Sequence, residues 1–347
     1  MTARLARALV ALVFLLLGSG QIYLSLHLPG GVGLSIAEPG PGLFPLMVGA
    51  LMCAAAGGHN ILFFGPPGVG KTMLARALPS LLPPMTPAEQ LEVTKIHSIA
   101  GKLHQNQPLL TNRPFRSIHH TASAVSIIGG GSNLKPGEIT LAHRGVLFMD
   151  EFGEFPRHVL ETLRQPLEDR YINISRFRGS LTYPAAFSLV AAMNTCPCAS
   201  DPCACTARDK LVYKKRISGP LLDRIDLWVN VAPPSTAEMQ QPDSAQNSAH
   251  ARDLILKACE IQSRRFQNLP IQKNAEMNNE LVQKFCQLSA QGEAMLANAL
   301  DNKTLTPRGY FRVLKVARTL ADLDGTETIK HHNLALALEF RQNKVLS

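Results

Sequence analysis

The sequence predicts an α/β fold built on a parallel sheet. Three short apolar segments bounded by turn residues are typical of strands covered on both faces: ILFF at 61–64, RGVLFMDE at 144–151 and FSLVAAMN at 187–194. A glycine-rich loop and a helix from about Lys71 to Leu82 follow the first segment. The second segment ends in two acids and the third in an amide. In open parallel sheets, ligand sites lie at the carboxyl edge, where we expect these groups.

The loop GPPGVGKT matches the phosphate-binding pattern G-x-x-x-x-G-K-[ST], and it stands between a predicted strand and a predicted helix. Its glycines let backbone N–H groups turn inward onto phosphates, assisted by the helix N-terminus. We expect Lys71 to reach the β- and γ-phosphates of ATP and Thr72 to bind Mg²⁺. The predicted nucleotide-binding residues are Gly65, Pro66, Pro67, Gly68, Val69, Gly70, Lys71 and Thr72.

The acids that end the second strand predict the catalytic part of the site. Asp150 is expected to hold the Mg²⁺ shell, and Glu151 to orient and polarise the attacking water. Asn194, at the end of the third strand, is a candidate sensor of the γ-phosphate that helps to position the same water. A strand-terminal asparagine that caps a turn is the alternative for Asn194.

Two arginines are candidates for stabilising charge on the transferred phosphoryl group, acting from the same chain or from a neighbour. Arg224 lies in SGPLLDRIDLW, and Arg308 starts a helix that Thr306 and Pro307 open as N-cap and first residue. Their spacing alone is equally consistent with surface ion pairs.

Length and composition favour a soluble globular protein of one or two domains. The chain has 347 residues, 46% of them hydrophobic, and a net charge of +9. Basic residues cluster at 164–178, 208–224 and 308–318, a pattern typical of phosphate-backbone binding but also of a basic surface without a nucleic-acid partner. We divide the chain into a hydrophobic segment (1–56), an α/β domain (57–236), a linker (237–249) and a helical lid (250–347).

The N-terminal segment carries two apolar stretches. Ala8–Leu26 has nineteen residues without a charge after Arg4 and Arg7, and this length suits a membrane helix or the front of a signal peptide. Because no A-x-A cleavage site follows, a membrane segment is favoured. The second stretch, Leu43–Ala56, is interrupted by a proline and a glycine and is too short to span a bilayer comfortably.

Four of the seven cysteines crowd into ten residues as C-P-C-x4-C-A-C. Four thiolates could bind one tetrahedral Zn²⁺. C-x-C pairs are less usual in zinc sites than C-x-x-C, so a loop of reduced cysteines is the alternative. The candidate zinc ligands are Cys196, Cys198, Cys203 and Cys205.

Taken in order, the motifs GGHNILFFGPPGVGKT, HHTASA, GGGSNLKPGEI, GVLFMDEFGEFP and ISGPLLDRIDL resemble the magnesium-chelatase-like branch of AAA+ ATPases. Within that branch, residues from about 54 to 342 look like the ComM (YifB) type. The resemblance implies a P-loop AAA+ module with a five-stranded parallel sheet, a C-terminal helical lid, and a hexameric ring that binds ATP between subunits.

The resemblance also assigns roles to residues. It makes Asn194 sensor 1, Arg224 an arginine finger acting in trans, and Arg308 the sensor-2 arginine. Residues 127–139 become an insert loop near the pore, and residues 171–184 become a hairpin whose Arg176 and Arg178 could face DNA. Proteins of this type are associated with DNA branch migration during natural transformation.

The N-terminus departs from this type, which places a Lon-protease-like domain before the GGHN motif. Residues 1–53 instead resemble the start of the small membrane subunit of tripartite tricarboxylate transporters, so we expect two fused fragments that meet near residues 53–56. The expected location is cytoplasmic, with membrane association through residues 8–56 as an option.

Three functions follow from these features. The first is an ATP-hydrolysing motor acting on single-stranded or branched DNA in transformation or recombination, as a branch-migration or helicase-like enzyme. The second is a chelatase-like ATPase subunit that drives metal insertion into a tetrapyrrole. The third is an inactive nucleotide-binding fusion protein.

Overall fold

The fold was analysed in a computed structural model, which describes residues 43–103, 108–131, 134–176, 179–198, 200, 203–233, 245–302 and 305–341. The described strands are β1 (Ile61–Phe64), β2 (Phe115–Ile118), β3 (Gly129–Gly130), β4 (Lys135–Pro136), β5 (Val146–Met149), β6 (Tyr171–Arg176), β7 (Gly179–Pro184), β8 (Ser188–Met193) and β9 (Leu227–Asn230). The described α-helices are α1 (Leu43–Gly57), α2 (Lys71–Leu81), α3 (Pro87–Ile99), α4 (Ala124–Ile128), α5 (Glu138–Leu141), α6 (Arg157–Glu161), α7 (Arg164–Asp169), α8 (Ala207–Lys215), α9 (Gly219–Leu222), α10 (Ala245–Arg265), α11 (Asn279–Phe285), α12 (Ala290–Asp301), α13 (Pro307–Leu323) and α14 (His331–Glu339).

The central sheet has five parallel strands in the order β2-β5-β8-β1-β9, which confirms the predicted fold class. Strands β1, β5 and β8 are the three apolar segments of the sequence. Strands β2 and β9, of four residues each, are not among the strands predicted from the sequence. Strand β2 is an edge strand with only one fully buried residue, so its sequence FRSI lacks the continuous apolar pattern of the inner strands.

Both faces of the sheet are buried, in two separate hydrophobic clusters. Ile61 and Phe63 of β1 point into the cluster that includes α1 and the C-terminal helices. Leu62 and Phe64 point into the other, built mainly from residues 118–228. Because successive side chains of a strand face opposite sides, a strand buried on both faces must be apolar at every position. Burying one such side chain contributes about 1.5–3 kcal/mol.

Helix α1 corrects the expected N-terminal boundary. Its residues Ala50, Leu51 and 53–56 are buried, and the helix packs against α2, β9, α10 and α13. The predicted boundary at residue 56 therefore cuts through a helix of the domain core. An apolar stretch of this length is more often a buried core helix than a membrane span. The small side chains of Cys53 to Ala56 allow close approach of neighbouring helices.

The described ranges contain no helix that is both long and apolar enough to cross a membrane. The stretch Ala8–Leu26, predicted as a membrane segment, lies outside the residues that the structure describes.

The described residues after 244 lie mainly in helices α10 to α14. Helix α13 begins after Thr306, whose hydroxyl accepts a hydrogen bond from the backbone N–H of Gly309 at 3.0 Å. On the apolar face of this helix, Leu314, Ala317 and Leu320 are buried and Phe311 is partly buried. Residues 245–249 of the predicted linker belong to α10, and residues 237–244 lie outside the description.

A buried polar network joins these C-terminal helices to the start of β1 and β9. Asp226 accepts a hydrogen bond from the Arg312 guanidinium at 2.6 Å and one from the backbone N–H of Asn60 at 3.0 Å. His59 contacts the Thr319 hydroxyl through Nε2 at 2.8 Å. Burial alone would raise the pKa of the Asp226 carboxyl, but the Arg312 guanidinium and the His59 ring hold that pKa well below its ordinary range.

Candidate nucleotide-binding site

The predicted phosphate loop connects β1 to α2 in the conformation that its glycines allow. Gly68 and Gly70 have φ angles of 78° and 89°, in the left-handed region that residues with a side chain avoid. A Cβ atom at Gly65 would lie 2.1 Å from the carbonyl oxygen of Val231, so no larger residue fits there. Gly70 is the N-cap of α2 and supplies no side chain to the helix N-terminus, whose N–H groups can therefore face an anion.

Lys71 is buried at the centre of this loop. Its Nζ donates to the carbonyl oxygens of Gly65 at 2.8 Å and Pro66 at 2.5 Å, and to Oδ1 of Asn194 at 3.1 Å. Burial lowers the pKa of Lys71, and the nearby Asp150 carboxylate opposes that shift. Two of these three acceptors belong to the phosphate loop, so the lysine side chain is folded back onto its own loop. A nucleotide phosphate would replace them as a partner for the ammonium group.

Thr72 and Asp150 form the part of the site that fits a magnesium ion. The Thr72 hydroxyl donates to Oδ2 of Asp150 at 3.0 Å, which joins the start of α2 to the end of β5. The other carboxylate oxygen of Asp150 accepts the backbone N–H of Glu151 at 3.0 Å. Hydroxyl and carboxylate oxygens are the hard ligands that Mg²⁺ prefers, so this donor set fits the ion.

Glu151 lies next to Asp150 with its backbone in the left-handed region, at φ 51°. Its Oε2 lies 2.7 Å from Nδ1 of His120, the second residue after β2. The ring of His119 is tilted against that of His120 with centroids 4.1 Å apart. The sequence analysis noted HHTASA only as part of a family resemblance and did not assign His120 to the site. The available signal was its position at the carboxyl end of a strand that neighbours β5.

Asn194 follows β8 and reaches the same edge, where its amide oxygen accepts from Lys71. Behind it, Tyr213 of α8 is buried and forms a hydrogen bond with the backbone of Asn194. A Cβ atom at Gly153 would lie 2.4 Å from the Tyr213 hydroxyl oxygen, so this glycine leaves room for the ring. The structure therefore brings Lys71, Thr72 and the polar ends of β5 and β8 together at one edge.

Arg224 lies at the opposite edge of the sheet. It precedes β9, and its carbonyl oxygen accepts a hydrogen bond from the Asn60 side chain, just before β1. The phosphate loop follows the other end of the same strand. The Arg224 guanidinium donates to the Pro220 carbonyl oxygen at 2.6 Å and to the Glu168 carboxylate. Arg224 is therefore separated from its own Lys71 by the length of β1.

Arg308 lies near Arg224 rather than near the phosphate loop. It is exposed in the first turn of α13. One turn further, Arg312 donates to the carbonyl oxygen of Arg224 at 3.1 Å. Residues four apart in a helix share a face, so Arg308 and Arg312 are neighbours on α13. The start of this helix is thereby placed beside the amino ends of β1 and β9.

The two loop elements predicted from the family resemblance lie together. Strands β6 and β7 form the predicted hairpin, and β3 and β4 form a smaller one within residues 127–139. Tyr183 donates its hydroxyl to the carbonyl oxygen of Leu134 at 2.8 Å. Arg176 ends β6, and Arg178 lies outside the described residues. Lys135, exposed in the smaller hairpin, is a further cation that the sequence analysis did not assign.

Many cations of the three basic clusters serve as ion-pair partners instead of forming an open basic surface. In the first cluster Arg164 pairs with Glu161, and Arg170 with Glu276. In the second, Arg216 pairs with Glu154. In the third, Arg318 is fully buried with Asp322. Clustering along the sequence therefore overstates the basic surface left for a nucleic acid.

The four clustered cysteines lie between β8 and α8 and converge in space. The Sγ atoms of Cys196 and Cys198 are 3.4 Å apart, those of Cys203 and Cys196 are 3.5 Å apart, and those of Cys198 and Cys203 are 3.8 Å apart. All four Sγ atoms, including that of Cys205, lie within 4.8 Å of one another. The pKa of the Cys198 thiol is lowered to about 5, mainly because Ser200 forms hydrogen bonds with its sulfur.

Comparison with protein families accounts for most of the chain. Residues 47–239 match the family described as magnesium chelatase, subunit ChlI, and residues 245–341 match the C-terminal part of that subunit. The first match includes residues 47–53, which the sequence analysis assigned to a transporter-like segment. Neither match supports a transporter resemblance for residues 1–53.

Individual relatives agree with the family match. The chain is 44% identical over 299 residues to competence protein ComM of Haemophilus influenzae, covering 84% of this chain and 57% of ComM. It is 41% identical over 295 residues to the uncharacterized protein YifB of Escherichia coli, with 84% and 57% covered. Subunit RuvB of the Holliday junction branch migration complex of Latilactobacillus sakei is 30% identical over 130 residues, with 38% and 29% covered.

The chain thus spans less than three fifths of the length of ComM and YifB. The two family matches together leave few of the described residues unassigned, and the parallel sheet and phosphate loop agree with an AAA+ module. The chain belongs to the magnesium chelatase ChlI family of AAA+ proteins, in the branch that contains ComM and YifB.

Proposed function

We propose that this protein is an ATP-hydrolysing AAA+ motor that acts on DNA. The observation that carries the proposal is the contact of the Thr72 hydroxyl with Asp150 at 3.0 Å, beside a buried Lys71 and next to Glu151. A hydroxyl, a carboxylate, an ammonium group and a second carboxylate at the end of parallel strands form the set that phosphoryl transfer from a magnesium nucleotide requires.

Each side chain has a definite task in this proposal. Lys71 neutralises charge on the β- and γ-phosphates, and the N–H groups of residues 65–70 hold the phosphate oxygens. Thr72 and Asp150 would hold Mg²⁺, which supplies charge stabilisation on the phosphates when bound. Glu151 orients a water molecule toward the γ-phosphorus and accepts its proton. Asn194 gives up its contact with Lys71 and senses the γ-phosphate.

The arginines complete the site from a neighbouring subunit. Arg224 and Arg308 lie at the amino ends of the strands, and the chain's own phosphate loop lies at the carboxyl ends. The two arginines can therefore reach a γ-phosphate only across a subunit interface. A closed ring supplies such an interface at every subunit, and a homo-hexamer is our proposal for the ring. Arg224 must then exchange its contact with Glu168 for the neighbour's phosphate.

DNA is proposed as the substrate on two grounds. The names of two relatives refer to competence and to Holliday junction branch migration. The hairpins β3–β4 and β6–β7 are joined through Tyr183 and carry cations, which suits contact with a phosphate backbone. We assign the DNA contact to Arg176 and Arg178. In this proposal residues 57–236 form the motor domain, with α1 packed within it, and residues 250–347 form the lid.

A chelatase-like subunit that drives metal insertion into a tetrapyrrole is the second candidate, favoured by the description of the matching family. ATP turnover of the full chain, measured with and without branched DNA, separates the two. Stimulation by DNA is the expected result. If DNA leaves turnover unchanged and the protein also fails to bind DNA, the DNA-motor function is contradicted and the chelatase-like function is favoured. The absence of turnover under both conditions would exclude both ATPases.

A further inference from the structure

We propose that Cys196, Cys198, Cys203 and Cys205 bind one zinc ion through their four sulfur atoms. A tetrahedral zinc ion with Zn–S bonds of about 2.3 Å places its sulfur ligands about 3.8 Å apart. Three of the Sγ separations are 3.4, 3.5 and 3.8 Å, and no pair is more than 4.8 Å apart. These distances are too long for a disulfide, whose sulfur atoms lie about 2.05 Å apart.

The ligand set fits a single structural ion. Four thiolates fill a tetrahedral shell and leave no position for water or substrate, as in structural zinc sites. Soft sulfur ligands exclude magnesium and calcium, which prefer oxygen. An iron–sulfur cluster distributes its thiolates over several metal atoms, which would place them farther apart than the edges of one tetrahedron.

The charge and the surroundings of the site are consistent with a metal. Binding of Zn²⁺ by four thiols releases four protons to solvent and leaves a complex with a net charge of −2. The Ser200 hydroxyl donates to the Cys198 sulfur at 3.2 Å, and Arg208 lines the same cavity as Cys198 and Cys205. Cys198 and Cys203 are exposed, so an ion can enter from solvent.

The position of the cluster indicates the structural role of the metal. Cys196 follows Asn194 by two residues, and Cys205 directly precedes Thr206, the N-cap of α8. Tyr213 of the same helix returns to the backbone of Asn194. The ion would therefore brace the loop that connects Asn194 to α8, at the edge of the nucleotide site. This task does not depend on which substrate the motor acts on.

The test is the metal content and the cobalt spectrum of the full chain, purified under reducing conditions without chelator. We expect about one zinc per chain. Exchange with Co²⁺ should give the intense visible absorption and thiolate charge-transfer bands of tetrahedral sulfur coordination. Cys198→Ser and Cys205→Ser should each lose zinc during dialysis against a chelator concentration that the parent withstands, and should each change the cobalt spectrum.

Cys259→Ser is the matched control, because Cys259 lies on α10 outside the cluster. It should keep the metal content and cobalt spectrum of the parent. A folded, reduced parent without zinc and without a thiolate spectrum for Co²⁺ would overturn the proposal. Equal metal retention in the parent, the two cluster variants and the control would place the metal elsewhere and overturn it as well.

Discussion

The Nδ1 atom of His120 lies 2.7 Å from Oε2 of Glu151, the carboxylate that we assign to water activation. This contact joins the carboxyl ends of two neighbouring strands, β2 and β5. We propose that this contact holds the Glu151 side chain in place and must be exchanged before Glu151 can orient a water molecule.

His120→Ala is expected to raise basal ATP turnover several-fold and to reduce the further stimulation by DNA, because it frees the Glu151 carboxylate. Steady-state turnover with and without DNA measures both effects. His119→Ala is the matched control, since Nδ1 of His119 contacts the Thr121 hydroxyl at 3.1 Å, whereas Nδ1 of His120 contacts Glu151. A drop in basal turnover in the His120 variant would mean that the histidine supports Glu151 instead of restraining it.

Glu151→Gln should retain ATP binding and lose hydrolysis by about 10²-fold or more, because an amide fills the same space but accepts no proton. Lys71→Ala should instead weaken nucleotide binding by about ten- to a hundredfold, the effect of removing a charged hydrogen bond. Equilibrium binding of a fluorescent nucleotide and single-turnover hydrolysis separate the two variants. Near-normal hydrolysis by Glu151→Gln would remove Glu151 from this role.

Arg224→Ala should depress turnover by about 10³-fold if the guanidinium acts on a neighbour's nucleotide. Mixing it with Glu151→Gln subunits should then restore part of the activity, since some interfaces combine an intact Arg224 with an intact Glu151. Turnover is measured across mixing ratios, with co-assembly verified by light scattering or mass photometry. Mixed rings that remain inactive would contradict a finger acting in trans.

Arg176→Ala combined with Arg178→Ala should reduce the salt dependence of DNA affinity. Each lost phosphate contact lowers the slope of log affinity against log salt by about one, so a change of one to two units is expected. Basal ATP turnover should persist, because neither arginine belongs to the nucleotide-binding set. Affinity for branched and single-stranded DNA is measured at several salt concentrations. An unchanged slope would mean that other residues contact the DNA phosphates, and Lys135→Ala would then be the next variant to test.

Asp226→Asn should destabilise the protein by about 3–5 kcal/mol, because it leaves the Arg312 guanidinium without its buried partner. The folded-state pKa of Asp226 lies below its unfolded value, so its contribution is fully present above the unfolded pKa of about 4 and is lost as the pH falls from there. Denaturant unfolding should show a constant gap between parent and variant at neutral pH that narrows below about pH 4. Asp253→Asn, at the exposed pair of Asp253 with Lys257, is the control and should cost less than about 1 kcal/mol.

The sequence by itself determined the nucleotide-binding part of this protein. The phosphate loop and the acids after β5 are local patterns, in which adjacent residues carry both the geometry and the chemistry. The inner strands could be recognised for the same reason, since burial on both faces leaves an uninterrupted apolar run. Parallel strand direction then placed Asn194 beside Lys71 without further information.

The tertiary structure decided what depends on partners distant in the chain. The apolar residues of α1 do not by themselves show what covers them, and only their contacts with α10 and α13 identify them as core. The contact of His120 with Glu151 joins residues that follow different strands, so no local sequence pattern predicts it. Arg224 is one arginine among many in the sequence. Its position at the amino edge of the sheet, one strand length from Lys71, follows from the pairing of β9 with β1.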